Sequence, residues 1–182
     1  GILRSLEESL TRLALDSIDI LHVHDADDHY QIAVEETFPT LHDLRSQGVI
    51  KAVGAGMNQW EMLMRFAEQD LIDCCLLAGR YTMLEQTSLA FLQLCHQKKI
   101  SVILGGVYNS GILAGDLDRN INYNYAPAPK PILEKAQRLN AVCKRHNVPL
   151  NVAALQFPMA HPGVAAMVIG AENKDHVAAN IK

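Results

Sequence analysis

Apolar residues recur at three- and four-residue steps at the start of the chain, with charged residues between them. Ile2, Leu6, Leu10 and Leu13 follow this spacing, which predicts an amphipathic helix with one face toward a core. The apolar run SIDILHVH comes next and predicts a buried strand that ends at His24. Because the chain starts inside a helix and without Met, we expect a fragment or a processed product.

The same alternation of amphipathic and continuously apolar segments extends to the end of the chain. Further helices are predicted at Gln31–Ser46, Trp60–Gln69, Glu85–Gln97, Pro131–His146, Val152–Met159 and Asp175–Lys182. Further strands are predicted at Val49–Gly54, Ile72–Leu77, Ile100–Leu104 and Val164–Ile169. The segment Asp118–Pro131, rich in Pro and Asn, is predicted to be a long loop.

Five apolar strands separated by helices are typical of a parallel sheet covered by helices, so the fold class is α/β. We expect a single domain over residues 1–182. Doubly wound sheets and TIM (β/α)8 barrels both fit this order. The spacing of about 30 residues per unit, with polar or glycine-rich strand ends, favours the barrel. A full barrel takes about 250 residues, so the chain would hold about five of eight βα units and lack the leading three.

Composition narrows the class of protein further. The chain is 49% hydrophobic and carries a net charge of −4, which is typical of a folded globular protein and gives no basic surface for nucleic acid. No apolar stretch reaches the roughly 18 residues of a membrane helix, and no signal peptide is recognisable. We therefore expect a soluble, cytoplasmic protein with neither nucleic acid nor membrane as a partner. The four cysteines lack the spacing of a metal site or a disulfide framework, which predicts buried packing.

His22 and His24 share one face of the first strand, at its carboxyl end. One interpretation is a zinc site of a metal-dependent hydrolase built on this pair. Such a site needs further ligands at later strand ends, yet these are taken as Gly54–Gly56, Ala78–Gly79, Gly105–Gly106 and Gly170–Ala171. The chain therefore predicts no metal. A second interpretation is one catalytic histidine that hydrogen-bonds a substrate oxygen, and a third is a histidine of the core.

Two glycine-rich segments follow later strands. GGVYNSGILAG, from Gly105 to Gly115, has the character of a loop whose backbone N–H groups bind phosphate. IGAEN, from Ile169 to Asn173, precedes a helix whose N-terminus is a candidate phosphate site. Neither is a Walker or Rossmann fingerprint, and ordinary glycine turns remain an alternative.

The order of these segments resembles the aldo-keto reductases over essentially the whole chain. RSLEESLTRLALDSIDILHVHD resembles the helix and fourth strand of that family, and LRSQGVIKAVGAGMN resembles the next unit. ISVILGGVYNSGIL lies where the family has its phosphate-binding loop, and VIGAENKDHVAAN resembles its closing cofactor segment. GMNQW, AGRYTMLEQ, YNYAPAP and ALQFPMAHP are most similar to the NAD(P)-dependent galactose and L-fucose dehydrogenases.

The resemblance implies hydride exchange between a nicotinamide cofactor and an alcohol, lactol or carbonyl, with a catalytic tetrad of Asp, Tyr, Lys and His. His24 alone matches that tetrad here, in the role of orienting the substrate oxygen. The other three fall in the leading units that the strand count predicts to be missing, so these 182 residues alone are expected to be inactive. The cofactor residues implied are Met57, Asn58, Gly105, Gly106, Tyr108, Ser110, Gly111, Gly170, Ala171, Asn173, His176 and Asn180.

Several positions depart from the family pattern. The Ser-Asn pair that holds the nicotinamide amide corresponds to Met57-Asn58, the family's Gln to Ala78, and its stacking aromatic to Gly105. The residues that hold an adenosine 2′-phosphate correspond to Gly170 and Ala171, and the adenine-side Arg corresponds to His176. A 2′-phosphate would be poorly neutralised there, so NAD is favoured over NADP.

The resulting prediction is an NAD(P)-dependent dehydrogenase that acts on the anomeric carbon of an aldose of the galactose or L-fucose type, or on a related carbonyl or alcohol. A non-catalytic nucleotide-binding relative with a regulatory role is the first alternative, and the metal-dependent hydrolase on His22 and His24 is the second. Sugar selectivity is expected to depend on long loops, including Asn120–Lys130.

Overall fold

The computed structural model describes residues 1–115, 117 and 121–181. The helices are α1 (Ile2–Leu13), α2 (Tyr30–Ile32), α3 (Phe38–Ser46), α4 (Trp60–Glu68), α5 (Leu89–Lys98), α6 (Lys130–Arg145), α7 (Leu150–Met159) and α8 (Lys174–Ile181). The strands are β1 (Ile18–His24), β2 (Ile50–Met57), β3 (Cys74–Ala78), β4 (Ser101–Gly105), β5 (Asn122–Tyr123), β6 (Ala126–Pro127) and β7 (Val164–Met167). A 3-10 turn at Asp27–His29 and a π-helical turn at Ala33–Thr37 flank α2.

The main sheet has five strands in the order β1-β2-β3-β4-β7, and every neighbouring pair is parallel. Helices connect successive strands. Two parallel neighbouring strands need such a crossover, because the chain must return to the edge where the first strand began. The predicted α/β class is therefore confirmed. The short strands β5 and β6 form a separate antiparallel hairpin.

One face of the sheet is covered by helices. Alternate residues of the central strands point to that side, and Val53, Leu77 and Leu104 are fully buried or nearly so there. Phe66 of α4 meets the ring of Phe38 edge-on, with the ring centroids 4.8 Å apart. This apolar layer explains the single apolar stripe of amphipathic helices such as α1 and α4.

The opposite face carries smaller residues and is more open. Gly54 and Cys74 are paired in register near the middle of the sheet, next to His22 of β1. Ile20 of β1 is 41% exposed and Val168, just after β7, is 56% exposed. In a closed barrel this face would line the interior, where side chains of alternate strands meet in layers.

A partly exposed ion pair lies near the amino-terminal ends of β3 and β4 and also contacts β2. Arg45 of α3 donates to both carboxylate oxygens of Asp73, which precedes β3. The same carboxylate accepts the backbone N–H of Val53 at 2.8 Å, and the Asp73 carbonyl accepts the N–H of Ser101 at 3.1 Å. Asp73 thus joins α3, β2 and β4 at one point.

Two predicted boundaries are wrong for reasons visible in the packing. Strand β2 continues through Gly54 to Met57, because the small residues there lie against the His22 ring and do not end the strand. Helix α5 begins at Leu89 and not at Glu85, because Thr82 Oγ1 accepts the backbone N–H groups of Leu84 and Glu85 and holds a turn.

The predicted strand after α7 also ends early, at Met167, and the remaining apolar residues continue as irregular chain. Within the predicted long loop, Asp118, Arg119 and Asn120 lie outside the described residues. The rest of that segment contains the β5–β6 hairpin and leads into α6 at Lys130. The closing helix is found at Lys174–Ile181, and Lys182 lies outside the described residues.

All four cysteines are buried free thiols, which agrees with the prediction of packing residues. Burial is the main cause that raises the pKa of Cys74 to about 11. In the part of the chain that the structure describes, no helix has the length and apolarity needed to cross a membrane.

We expect Asp73→Asn to lower the free energy of unfolding by about 1–3 kcal/mol, because Arg45 loses a charged partner and only one acceptor oxygen remains for both Arg45 and the Val53 N–H. Urea unfolding measures this difference. Asp19→Asn is the matched control, since the Asp19–Lys51 pair is 76% exposed on both sides and should leave stability nearly unchanged. Equal effects of the two substitutions would contradict the role given to Asp73.

Candidate active site and nucleotide cleft

The carboxyl ends of all five parallel strands lie at one edge of the sheet. His24, Met57, Ala78, Gly105 and Met167 are the last residues of β1, β2, β3, β4 and β7. In parallel α/β folds, ligands bind at this edge, where the loops after the strands meet. The candidate site is therefore built from these ends and from the segments that follow them.

His22 packs against the neighbouring strand. A Cβ built on Gly54 would lie 3.0 Å from the Cε1 and Nε2 atoms of His22, so the ring occupies the space that the glycine leaves. Burial is the main cause that lowers the pKa of His22, and the charge of His24 lowers it further, against a hydrogen bond with the Ala55 backbone that raises it. His22 thus serves as a neutral packing residue.

His24 is different, since it lies at the end of β1 with its side chain 82% exposed. Its Nδ1 atom is 3.3 Å from the Asp25 carboxylate, which leaves Nε2 for another partner. Among the described residues, no group of three His, Cys, Asp or Glu side chains has the geometry to hold a metal ion. His22 therefore packs against the neighbouring strand, whereas His24 is available to a ligand.

Met57 and Asn58 end β2 and start the loop after it, at the same edge as His24. Met57 is 3% exposed and belongs to the apolar layer under the helices, whereas Asn58 is half-buried. Neither residue lines the cleft described below. Their proposed contact with the nicotinamide amide stays a prediction.

The loops after β3 and β4 are joined through glycine and asparagine. The Gly79 N–H donates to the Gly105 carbonyl at 2.9 Å, and a Cβ on Gly106 would lie 3.3 Å from the Gly79 nitrogen. Asn109, 3% exposed, donates from Nδ2 to the Gly79 carbonyl at 3.2 Å and accepts the Thr82 hydroxyl. This close approach requires small residues with positive φ, which Gly79 and Gly106 supply.

A cleft of about 640 Å³ opens between the loop after β4, the segment after β7 and helix α8. Eight of the predicted cofactor residues line it: Gly106, Tyr108, Ser110, Gly111, Gly170, Ala171, His176 and Asn180. The Tyr108 hydroxyl donates to Asn180 Oδ1 at 2.9 Å and joins two of its walls, and burial raises the pKa of Tyr108. Residues far apart in sequence are thereby brought to one cavity.

Four of the predicted cofactor residues do not line the cleft: Met57, Asn58, Gly105 and Asn173. Gly105 ends β4, where an added Cβ would lie 3.3 Å from Leu76. Conversely, the sequence analysis did not select Val107, Asn109, Ala114, Asn151, Val168, Ile169 or Glu172, all of which line it. Their positions within GGVYNSGILAG and VIGAEN were the available signal, but Asn151 had none.

Asn173 caps helix α8. Its side-chain oxygen accepts the N–H groups of Asp175 at 3.0 Å and His176 at 2.9 Å, and its carbonyl accepts the Val177 N–H. The Glu172 N–H points to His176 Nδ1 at 3.4 Å. The N–H groups of Glu172, Asp175 and His176 thus have partners within the protein, and a phosphate on this helix N-terminus stays a prediction.

The cleft has the shape and chemistry to hold part of a dinucleotide. Its volume falls within the range usual for cofactor sites. A Cβ added to Gly111 or Gly170 would meet no atom within 4 Å, so both glycines leave open space along the walls. Amide and hydroxyl groups from Ser110, Asn151 and Asn180 are placed among apolar residues. We conclude that the residues present fit a nicotinamide nucleotide.

Comparison with known proteins identifies the family. The family model described as Aldo/keto reductase family matches residues 1–182. The chain is 36% identical over 192 aligned residues to pyridoxal 4-dehydrogenase of Microbacterium luteolum, covering all of this chain and 56% of that protein. It is 37% identical over 173 aligned residues to D-threo-aldose 1-dehydrogenase of a Pseudomonas species, covering 93% of this chain and 53% of that protein.

Solved structures share the fold. The holo form of an aldo-keto reductase from Bacillus halodurans matches with a TM-score of 0.79 at 23% identity, covering 98% of this chain and 59% of that one. Glycerol dehydrogenase from Gluconobacter oxydans matches with a TM-score of 0.76 at 21% identity, covering 97% and 56%. The parallel sheet is consistent with part of a TIM barrel, and the chain spans a little over half the length of the relatives it matches.

We expect Asn109→Ala to cost about 2 kcal/mol more than Asn147→Ala, measured as the free energy of unfolding. Both residues have positive φ, 47° and 56°, so both substitutions carry the same backbone penalty. Asn109 additionally loses its bonds to Thr82 and Gly79, whereas Asn147 is exposed. An equal loss in the two variants would show that these side-chain bonds do not hold the loops together.

The protein should also lose stability as pH falls, in part through His22. Its folded-state pKa lies below the ordinary value of about 6.5, so the unfolded state takes up a proton at a higher pH than the folded state. Stability from this group is present above pH of about 6.5 and declines below it. We expect His22→Gln to reduce the difference in unfolding free energy between about pH 7.5 and about pH 5.5.

Some pH dependence should remain in His22→Gln, since burial and the charge of His96 also lower the pKa of His161. The control is His29→Gln, which removes an exposed imidazole outside the sheet. A His22→Gln profile that coincides with that of the unmodified protein would rule out the assigned role of His22.

Proposed function

The chain belongs to the aldo/keto reductase family, and on that premise we propose that it carries the substrate-orienting histidine and the dinucleotide cleft of an NAD(P)-dependent aldose 1-dehydrogenase. Aldo-keto reductases are oxidoreductases that use NAD(P)H cofactors. The observation that carries the proposal is that eight predicted cofactor residues line one cleft at the strand-end edge where β1 also ends in exposed His24.

The two relatives described above support a shared substrate chemistry. One is named for the oxidation of pyridoxal and the other for that of D-threo-aldoses. An aldose in its ring form is a cyclic hemiacetal, and pyridoxal forms one when its aldehyde closes on the neighbouring hydroxymethyl group. We therefore propose a cyclic hemiacetal as the substrate class, with ring-form aldoses of the galactose or L-fucose type as the first candidates.

The chemistry removes a hydride from the hemiacetal carbon and a proton from its hydroxyl, and the product is a lactone. When bound, the nicotinamide ring accepts that hydride. His24 contributes a hydrogen bond between its free ring nitrogen, Nε2, and the substrate hydroxyl, while the Asp25 carboxylate accepts from Nδ1–H and so orients the ring. The resemblance assigns the proton transfer to a tyrosine that has no counterpart among these 182 residues.

The walls of the cleft hold the nucleotide in this proposal. Ser110 and the glycines of the loop after β4 face the phosphates, since small residues let the backbone approach closely. The Tyr108–Asn180 hydrogen bond keeps the loop and α8 at a constant separation. NAD is favoured over NADP, because Gly170 and Ala171 offer no charge to a 2′-phosphate.

We expect the full-length protein to reduce NAD with L-fucose, D-galactose or pyridoxal, followed by the absorbance of the reduced nicotinamide. His24→Ala should lower kcat by about a hundredfold, the usual contribution of a positioned proton donor or acceptor, with little change in the Kd for NAD. His96→Ala, which removes an exposed imidazole in the last turn of α5, before the start of β4 and so at the opposite edge of the sheet, should leave kcat unchanged.

Full activity in His24→Ala would contradict the role of this residue. Binding of the nucleotide without turnover of any of these substrates would favour the non-catalytic nucleotide-binding alternative. Turnover of open-chain aldehydes without oxidation of cyclic hemiacetals would contradict the substrate class.

A further inference from the structure

Among the described residues, the wall of the cleft carries few ionisable side chains, and the one with a permanent charge is acidic. Glu172 contributes a carboxylate and His176 an imidazole. Among the described residues that line the cleft, none is Lys or Arg. The other polar side chains on the wall are neutral: Tyr108, Asn109, Ser110, Asn151 and Asn180. From the described lining residues, a ligand in this cleft therefore meets the one fixed negative charge of Glu172 and no permanent positive charge.

The N-terminus of α8 does not compensate for this carboxylate. The cap formed by Asn173 already uses the N–H groups of Asp175 and His176, and the Glu172 N–H faces the ring of His176. Lys174 lies in the first turn of α8, but it does not line the cleft. Three of the backbone donors at this helix start are thus engaged within the protein and are not directed at a ligand.

The position of Glu172 defines which half of a dinucleotide it would meet. Hydride transfer requires the nicotinamide beside the strand ends, near His24 and Gly105. The adenosine half must then extend along the cleft toward the segment beyond β7, where Ala171, Glu172 and His176 form the wall. Glu172 is five residues past Met167, the last residue of β7, and directly before the cap of α8.

We propose that Glu172 is the residue that selects NAD over NADP, by accepting hydrogen bonds from the adenosine ribose hydroxyls and repelling a 2′-phosphate. Carboxylates are good acceptors for the two adjacent hydroxyls of a ribose, and dinucleotide-binding proteins of other folds use an acidic residue in this way. The inference rests on the proposed nucleotide-binding function and adds the residue that makes the choice.

The size of the effect follows from Coulomb's law. A 2′-phosphate carries nearly two negative charges, and a carboxylate about 5 Å away weakens its binding about tenfold even at the dielectric constant of water. The cleft is lined partly by apolar residues, which makes the repulsion stronger than in bulk water. Added salt should reduce it, because Glu172 is exposed.

The test measures binding without any reaction. Isothermal titration calorimetry on the full-length protein compares ADP-ribose with 2′-phospho-ADP-ribose, which differ in the 2′-phosphate alone and lack the nicotinamide. The unmodified protein should bind ADP-ribose at least about tenfold more tightly. In Glu172→Gln, which keeps the shape of the side chain and removes its charge, this preference should shrink about tenfold.

Asp175→Asn is the matched control. It removes the same unit of charge from the first turn of α8, three residues away, at an exposed side chain that does not line the cleft. The preference for ADP-ribose should remain within about twofold of that of the unmodified protein.

An unchanged preference in Glu172→Gln, or an equal change in Asp175→Asn, would overturn the role of Glu172 while leaving the nucleotide site intact. Tighter binding of 2′-phospho-ADP-ribose by the unmodified protein would also overturn it. Failure of the unmodified protein to bind either ligand would overturn both this inference and the proposed nucleotide-binding function.

Discussion

Parallel pairing of five strands in a fixed order is the constraint on which the rest of this structure depends. Parallel neighbours require a crossover between them, so each strand is followed by a helix that returns the chain to the opposite edge. The carboxyl ends of all five strands consequently lie at one edge of the sheet. The loops that follow the strands, which form the candidate site, therefore lie at that edge as well. The opposite edge is tied by Asp73, which bonds to α3, β2 and the start of β4.

The site divides into two parts that this sheet holds at a constant separation. β1 places His24 at one side of the edge, while β4 and β7 supply the loops that form the cleft on the other side. Small residues on the open face allow this arrangement, since the His22 ring fills the space over Gly54. A larger side chain there would displace the ring and, with it, the end of β1 that carries His24.

The electrostatic character of the cleft comes from residues outside the recognisable glycine pattern. Glu172 contributes the carboxylate on the cleft wall, and the Asn173 side chain accepts the N–H groups of Asp175 and His176 at the start of α8. In our proposal, these two consecutive residues, Glu172 and Asn173, determine which nucleotide the outer end of the cleft accepts. Their effect is local, because a single carboxylate and a few engaged N–H groups act over the distance of a hydrogen bond or a Debye length.

The sequence by itself determined the number, order and type of the main elements, because a period of 3.6 or a continuous apolar run reflects which residues must be buried. It also predicted His24 at a strand end and two glycine-rich segments, as well as the resemblance that names the family. The sequence analysis missed the end of β2, because the strand continues where the ring of His22, distant in sequence, packs on Gly54. It missed the start of α5, because a side-chain hydrogen bond to Thr82 holds a turn there.

Tertiary structure alone decided which of the candidate residues share a cavity. It joined Tyr108 to Asn180 across 72 positions of the chain, assigned Asn173 to a helix cap, and added Asn109, Asn151 and Glu172 to the wall. It also separated His22 from His24, which strand alternation places on the same face. Periodicity records burial along one segment, whereas a cavity depends on how segments approach one another in space, and that information is not local in the chain.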